Sequence, residues 1–163
     1  MKNRRTRTQM MLVAAVWTAG FLSLQQLAFA DGQCEEVRAR LIDIYSGGPN
    51  TSGTVTNGGF LNGTTSTVFP PAFVVTPDPN VVAYTGELTI TTGHGLLKTS
   101  NVYLYNSVTG QGTALGRINP STSTGRFAGA TGVLFLNLPK TIGTSIPFTY
   151  PQDVTGEICF AKQ

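Results

Sequence analysis

The sequence is poor in charged residues and in histidine, which limits the chemistry it can carry. Charged residues make up 12% of the 163 residues, and the single histidine is His94. A serine or cysteine nucleophile of the usual kind needs a histidine base, and a zinc site needs several convergent ligands. His94 lies between Gly93 and Gly95 in a predicted turn, where we expect it to be solvated. The sequence therefore predicts no catalytic residue, no metal site and no cofactor.

Acidic residues are few and scattered. A calcium site would need a loop rich in acids, and the sequence contains no such loop. A pair of carboxylates for glycoside chemistry stays formally open. The candidates are Asp43, Asp78, Glu87, Asp153 and Glu157. Glu87 falls on the polar face of its predicted strand, and no spacing groups the others.

The first 30 residues have the pattern of an export signal. Basic residues precede an apolar run over 10–24, and Ala28-Phe29-Ala30 fits a small-x-small cleavage site. A membrane anchor is the alternative, but the apolar run is short for a span of about 20 residues. We predict a signal peptide over 1–30 and a mature domain over 31–163. This domain would be periplasmic or extracellular, with no stable membrane insertion after cleavage.

Removal of this segment reverses the sign of the net charge. Four of the 11 Lys and Arg lie in it and none of the 8 acids does, which leaves seven bases against eight acids. The remaining bases are scattered from Arg38 to Lys162. The mature chain therefore lacks the basic patch that nucleic acid or an anionic membrane would need, and we predict neither as a partner. Composition gives no oligomeric state.

Two cysteines lie at opposite ends of the predicted mature domain. In an exported protein, Cys34 and Cys159 are most simply paired in a disulfide. The rival, a reactive thiol pair, lacks the C-x-x-C spacing that lowers a thiol pKa. Both cysteines have the parity of the polar face of their strand, so the bond would tie the first and last strands on the outside. A register with Cys34 opposite Cys159 also sets Glu36 against Glu157, a like-charge contact that leaves the pairing open.

Alternation with a period of two residues predicts strands along the mature chain. In 81–92, one face carries Val82, Tyr84, Gly86, Leu88 and Ile90, and the other face is mostly polar. Similar alternation and frequent turn residues indicate about eight strands. We predict an all-β domain that forms a single antiparallel barrel, with a sandwich as the alternative. Residues 46–59 contain five glycines, and we predict them as a flexible Gly-rich loop or a weak edge.

The glycine-rich stretch 121–137, STSTGRFAGATGVLFLN, raises the question of a phosphate-binding loop. Such a loop needs a Gly-Lys-Ser/Thr ending and a following helix, and neither is present. Instead we predict a long strand with Phe127, Val133 and Phe135 on one face, in which the glycines allow the chain to bend.

Three segments carry a family resemblance: GELTITTGHGLLKTSNVYLYN (86–106), STGRFAGATGVLFLN (123–137) and the closing GEIC (156–159). In this order they resemble small secreted bacterial proteins of the allene oxide cyclase and dirigent barrel type. The resemblance implies an eight-stranded barrel. It also implies, from the plant enzymes, isomerisation of a fatty-acid epoxide or guidance of phenoxy-radical coupling. No catalytic position of those proteins aligns with a residue of this chain, so none is carried over.

Three tyrosines and one arginine are the remaining candidates for binding. Tyr84, Tyr103 and Tyr105 lie in adjacent predicted strands, and Tyr84 has the parity of the apolar face. They would line a cavity with hydroxyls facing a ligand, or pack in a filled core. Arg126 would contact an acidic ligand or form an exterior ion pair. We expect a non-catalytic barrel that binds a small apolar ligand or a surface partner, the alternative being an isomerase or cyclase.

Overall fold

The computed structural model describes residues 33–71 and 73–162. These residues form nine β-strands and two short 3-10 turns at Gly59–Leu61 and Gly125–Phe127. The strands are β1 (Cys34–Tyr45), β2 (Asn50–Thr56), β3 (Gly63–Val68), β4 (Phe73–Val75), β5 (Val81–Thr92), β6 (Gly95–Asn106), β7 (Gly112–Ile118), β8 (Thr131–Leu138) and β9 (Phe148–Cys159). The predicted signal peptide over 1–30 lies outside the described residues.

The strands close into an antiparallel barrel. Neighbours follow the order β3-β2-β1-β9-β8-β7-β6-β5, and β3 pairs with β5 to complete the ring. The short β4 lies beyond β3 along β5, where it pairs with residues 82–84. The prediction of a single antiparallel barrel of about eight strands is confirmed. Closure pairs the backbone groups that an open sheet would leave exposed at its edges.

The first and last strands are neighbours and are joined by a disulfide. β1 pairs with β9 along its whole length, and Cys34 is bonded to Cys159, as predicted. The register is the one that also sets Glu36 opposite Glu157. Arg38 offsets this like-charge contact, because its guanidinium lies 2.8 Å from the Glu36 carboxylate on the exposed face.

The prediction of a loop or weak edge over 46–59 is wrong for residues 50–56. They form β2, which pairs with β1 on one side and with β3 on the other. Gly53 serves close packing in this strand, since a Cβ there would lie 2.0 Å from the carbonyl oxygen of Ile42. A glycine that suggested flexibility in the sequence therefore permits a close contact between strands.

The prediction of one long strand over 121–137 is wrong. The strand is shorter than predicted, and Phe127 and Phe135 do not share a face. The chain turns at Gly125–Phe127 before β8 begins, and Gly125 has a φ of +61°, which glycine adopts without strain. The glycines thus bend the chain, but between strands. Because the turn interrupts the alternation, Phe127 is buried while Phe135 is 53% exposed on the outer face. The leucines of β8 take the inner positions instead.

Aliphatic side chains and one phenylalanine fill one end of the barrel, called the closed end below. This end contains the disulfide and the two 3-10 turns. Its fully buried side chains include Leu61, Leu88, Ile90, Leu97, Phe127 and Ile158. Full burial of each large apolar side chain stabilises the folded state by about 1.5–3 kcal/mol relative to exposure of that side chain to water. The opposite end of the barrel, called the open end, is built differently.

Candidate ligand-binding cavity

The open end of the barrel holds a cavity of about 460 Å³. All 5 tyrosines of the sequence line it, together with two phenylalanines and one acid. The tyrosines are Tyr45, Tyr84, Tyr103, Tyr105 and Tyr150. This is an aromatic chamber with a small number of polar groups in its wall.

Strand alternation and register explain why these side chains meet. Asp43 lies two residues after Leu41 on the inner face of β1, and both are buried. Tyr84 of β5 is directly opposite Tyr103 of β6, and Tyr150 of β9 is directly opposite Asp43. Residues from distant parts of the sequence therefore share one opening.

The aromatic wall is closely packed on the side of β5 and β6. The rings of Tyr84 and Tyr103 are stacked, with centroids 5.0 Å apart and planes within 6° of parallel. Phe69 meets both rings edge-on, at 5.3 Å and 5.4 Å. Phe73 packs edge-on against Tyr84 at 5.8 Å. Edge-on and stacked contacts of this kind fix the rings, so the wall has a defined shape.

Asp43 is the buried acid of the cavity, with 4% of its surface exposed. Three threonine hydroxyls donate hydrogen bonds to its carboxylate. Thr51 donates to Oδ2 at 2.9 Å, Thr65 to Oδ1 at 2.8 Å and Thr67 to Oδ2 at 3.3 Å. Burial raises the pKa of Asp43 above its usual value, and the hydroxyls oppose that rise. The three hydrogen bonds hold the side chain in a fixed position, and burial makes its carboxylate easier to protonate than that of an exposed aspartate.

Burial also raises the pKa values of three tyrosines, which makes them harder to ionise. It raises the pKa of Tyr150 to about 12, with nearby Tyr105 and Tyr45 adding to the rise. The pKa values of Tyr84 and Tyr103 are raised as well, chiefly by burial. Asn101 Nδ2 donates to the Tyr103 hydroxyl oxygen at 2.7 Å. At neutral pH, the three hydroxyls are therefore neutral groups that can donate or accept hydrogen bonds.

No protein family, curated protein or solved structure matches this chain. Residues 33–71 and 73–162 contain no helix long and apolar enough to cross a membrane. Within the same residues, one group of possible metal ligands lies close together, namely Cys34, Glu157 and Cys159. Its two sulfur atoms are bonded to each other, so they offer no thiolate to a metal.

The structure brings together the three tyrosines that the sequence singled out. Tyr84, Tyr103 and Tyr105 all line the cavity, and Tyr84 has the predicted inner parity. Sequence reasoning named Asp43 only among scattered acids, without placing it in the cavity, and it did not single out Tyr150. The alternation of β1 carried the signal for Asp43, since the inner positions Val37, Ala39 and Leu41 continue to it with a period of two.

The other candidate residues lie elsewhere. His94 is exposed in the turn between β5 and β6, as expected. Arg126 forms the predicted ion pair, with Glu35 as its partner, but the pair is part-buried at the closed end and does not lie on the exterior. Its guanidinium carbon lies 4.7 Å and 4.5 Å from the ring centres of Phe60 and Phe160. The candidate acids are apart from Asp43: Glu87, Glu157 and Asp78 are exposed, and Asp153 pairs with Arg40 on the outer surface.

Proposed function

We propose that this protein binds a small, largely apolar molecule in the cavity at the open end. The observation that carries the proposal is the cavity of about 460 Å³ walled by tyrosine and phenylalanine rings. Ligand sites in proteins have this range of volumes and are lined by aromatic side chains with a few convergent polar groups. Tyrosine supplies both a flat apolar surface and a hydroxyl that orients the ligand.

The distribution of large side chains supports binding over a filled core. A small barrel is either filled by its own side chains or leaves room for one ligand. Phe127 and Leu88 are buried at the closed end, whereas Phe135 faces outward and fills nothing. The inner positions of the open end carry rings that border a space. A surface partner, the other form of the binding hypothesis, stays a prediction.

We also propose that the protein acts in the periplasm or outside the cell. The bond between Cys34 and Cys159 supports this location, because disulfides persist in oxidising compartments. The predicted signal peptide over 1–30 would provide the route.

The second candidate function is an isomerase or cyclase, as the resemblance to allene oxide cyclase and dirigent proteins implies. One observation favours it: Asp43 is a buried acid in the cavity wall, and its pKa is raised. Acids with raised pKa values in clefts are frequent at sites of proton transfer. In this reading, Asp43 exchanges a proton with the bound molecule and the tyrosine hydroxyls orient it.

A pair of tryptophan variants tests the binding function. Val82 lines the cavity, so Val82→Trp should fill it. Thr85 is exposed on the outer face of the same strand, so Thr85→Trp is the matched control. We expect the neutral dye N-phenylnaphthylamine to bind the wild-type protein and the control, and to lose affinity for Val82→Trp by about tenfold or more. Equal binding to both variants would place the dye outside the cavity and contradict the proposal.

Native mass spectrometry of the oxidised protein then identifies any molecule retained during purification. A retained molecule should be absent from Val82→Trp and present in the control. To separate binder from enzyme, that molecule is incubated with the wild-type protein and with Asp43→Asn. Conversion by the wild-type protein alone, with binding kept in the variant, favours the isomerase or cyclase. Binding without conversion by either protein favours the binder.

A further inference from the structure

The charges of the cavity wall indicate the class of ligand, an inference that rests on the proposed binding function. We propose that the ligand is an organic cation: an amine or ammonium group, carried on an apolar body, that lies beside Asp43. The apolar body occupies the space between the tyrosine rings.

The described lining of the cavity contains an acid and no base. Among the described residues that line it, Asp43 is the one carboxylate, and none is Lys, Arg or His. A carboxylate or phosphate on a ligand would therefore meet no positive partner here and would approach Asp43. Charges buried in proteins are normally paired. A cationic ligand supplies the partner that the wall itself lacks.

The Asp43 carboxylate is held by neutral hydrogen-bond donors. Its hydrogen-bond donors are the hydroxyls of Thr51, Thr65 and Thr67, which are neutral. They orient the carboxylate and partly oppose the rise in its pKa that burial causes, but they bring no positive charge to it. A carboxylate accepts about four hydrogen bonds. The threonine hydroxyls occupy three of these acceptor positions on Asp43, which leaves one for an N–H group of a ligand.

The aromatic wall of the cavity also favours a cation. The face of a tyrosine ring carries negative electrostatic potential and attracts cations, most strongly where water is excluded. Tyr150 is directly opposite Asp43 in the sheet, and Tyr84 of β5 stacks on Tyr103 of β6 in another part of the barrel wall. Rings and carboxylate therefore favour the same sign of charge. An uncharged ligand would gain neither the attraction of the ring faces nor that of the carboxylate.

Three probes with one carbon skeleton test the inference: phenylbutylamine, phenylbutanol and phenylbutyrate, each titrated into the oxidised protein by calorimetry at neutral pH. We expect the amine to bind about tenfold more tightly than the alcohol, and the carboxylate to bind most weakly. Asp43→Asn keeps the shape of the side chain but removes its charge. In this variant we expect the amine and the alcohol to bind within about twofold of each other.

Asp153→Asn is the matched control, because Asp153 is exposed and pairs with Arg40 on the outer surface. It should retain the wild-type preference for the amine. If Asp43→Asn does not fold, the order of the three probes on the wild-type protein decides the question. An alcohol that binds as well as the amine, or a carboxylate that binds best, overturns the cation inference and leaves the binding function standing. If none of the three binds, both proposals are wrong.

Discussion

The closed end and the open end of the barrel receive their inner residues from the same strands. β1 contributes Val37 to the closed end and Tyr45 to the open end, and β6 contributes Leu97 and Tyr103 in the same way. Aliphatic side chains fit together and fill the space, whereas flat rings held edge-on border a cavity. Alternation thus decides which side chains face inward, and the residue type along each strand decides whether the interior is filled or hollow.

The two ends also differ in what burial contributes to stability. At the closed end, burial of apolar side chains favours the folded state. At the open end, Asp43 is buried without a cationic partner among the described residues, and burial of a charge opposes folding. We therefore expect most of the stability to come from the closed end and the binding function to come from the open end.

The largest expected effect is the loss of a core ring at the closed end. Phe127 is 0% exposed, so Phe127→Ala should lower the free energy of unfolding by about 3–5 kcal/mol. Phe69→Ala at the open end should lower it by about 1–2 kcal/mol, because the ring is only partly buried and borders the cavity. Denaturant unfolding followed by circular dichroism measures both values. Equal losses of unfolding free energy would contradict the expectation that the closed end supplies most of the stability.

A smaller effect is expected from removing the disulfide. The bond closes a separation of 125 residues, and the double variant Cys34→Ser/Cys159→Ser should lower the free energy of unfolding by about 2–4 kcal/mol. Since the bond lies at the closed end, binding of N-phenylnaphthylamine to the folded protein should be unchanged. A large loss of dye affinity in the folded double variant would show that the two ends depend on each other.

Much of the fold follows from the alternation of the sequence. The pattern of 81–92 placed Leu88 and Ile90 inside, and the parity of Cys34 and Cys159 predicted the joining of the first and last strands. Both are confirmed. These predictions succeed because each needs only the two-residue period within one strand.

The failures have a different cause. Whether Phe135 points into or out of the barrel depends on the number of residues in the turn before β8, because that turn interrupts the inward–outward alternation. The burial of Asp43 depends on threonines from β2 and β3, which only the closed sheet brings to it. An acid at an inner position also contradicts the polarity pattern used to find strands. The cavity was therefore predicted only through Tyr84, Tyr103 and Tyr105.

The next prediction concerns the pH dependence that Asp43 confers on the open end. Burial raises its pKa in the folded state above the unfolded value of 3.8. The folded state then binds the proton more tightly, so the contribution of Asp43 to stability is present below the unfolded pKa and is lost as pH rises through the folded pKa. Relative to Asp43→Asn, the wild-type protein should become less stable as pH rises from below 3.8 through the raised folded pKa of Asp43.

Denaturant unfolding of both proteins across this pH range measures the difference. Asp153→Asn, which removes an exposed carboxylate, is the control and should not reproduce the trend. A stability difference between wild type and Asp43→Asn that is constant with pH would show that burial at the open end does not disfavour the charged form.

The smallest expected effect on stability at neutral pH belongs to Tyr150, whose pKa of about 12 reports on the environment of the open end. The unfolded tyrosine ionises near pH 10, so the folded state keeps a proton that the unfolded state loses, and stability should fall between about pH 10 and about pH 12. Tyr150→Phe should remove one tyrosinate absorbance step near pH 12 and weaken this alkaline loss.

Tyr84→Phe serves as the control for that titration, since the pKa of Tyr84 is raised beyond that of Tyr150 and its loss should leave the step near pH 12 in place. Rapid pH jumps read the absorbance before the protein unfolds. A ligand that fills the cavity should shift the Tyr150 step, because it changes the solvation that raises this pKa. If Tyr150→Phe instead removes a step near pH 10, solvent fully hydrates Tyr150, and the open end is then a shallow surface and not a chamber.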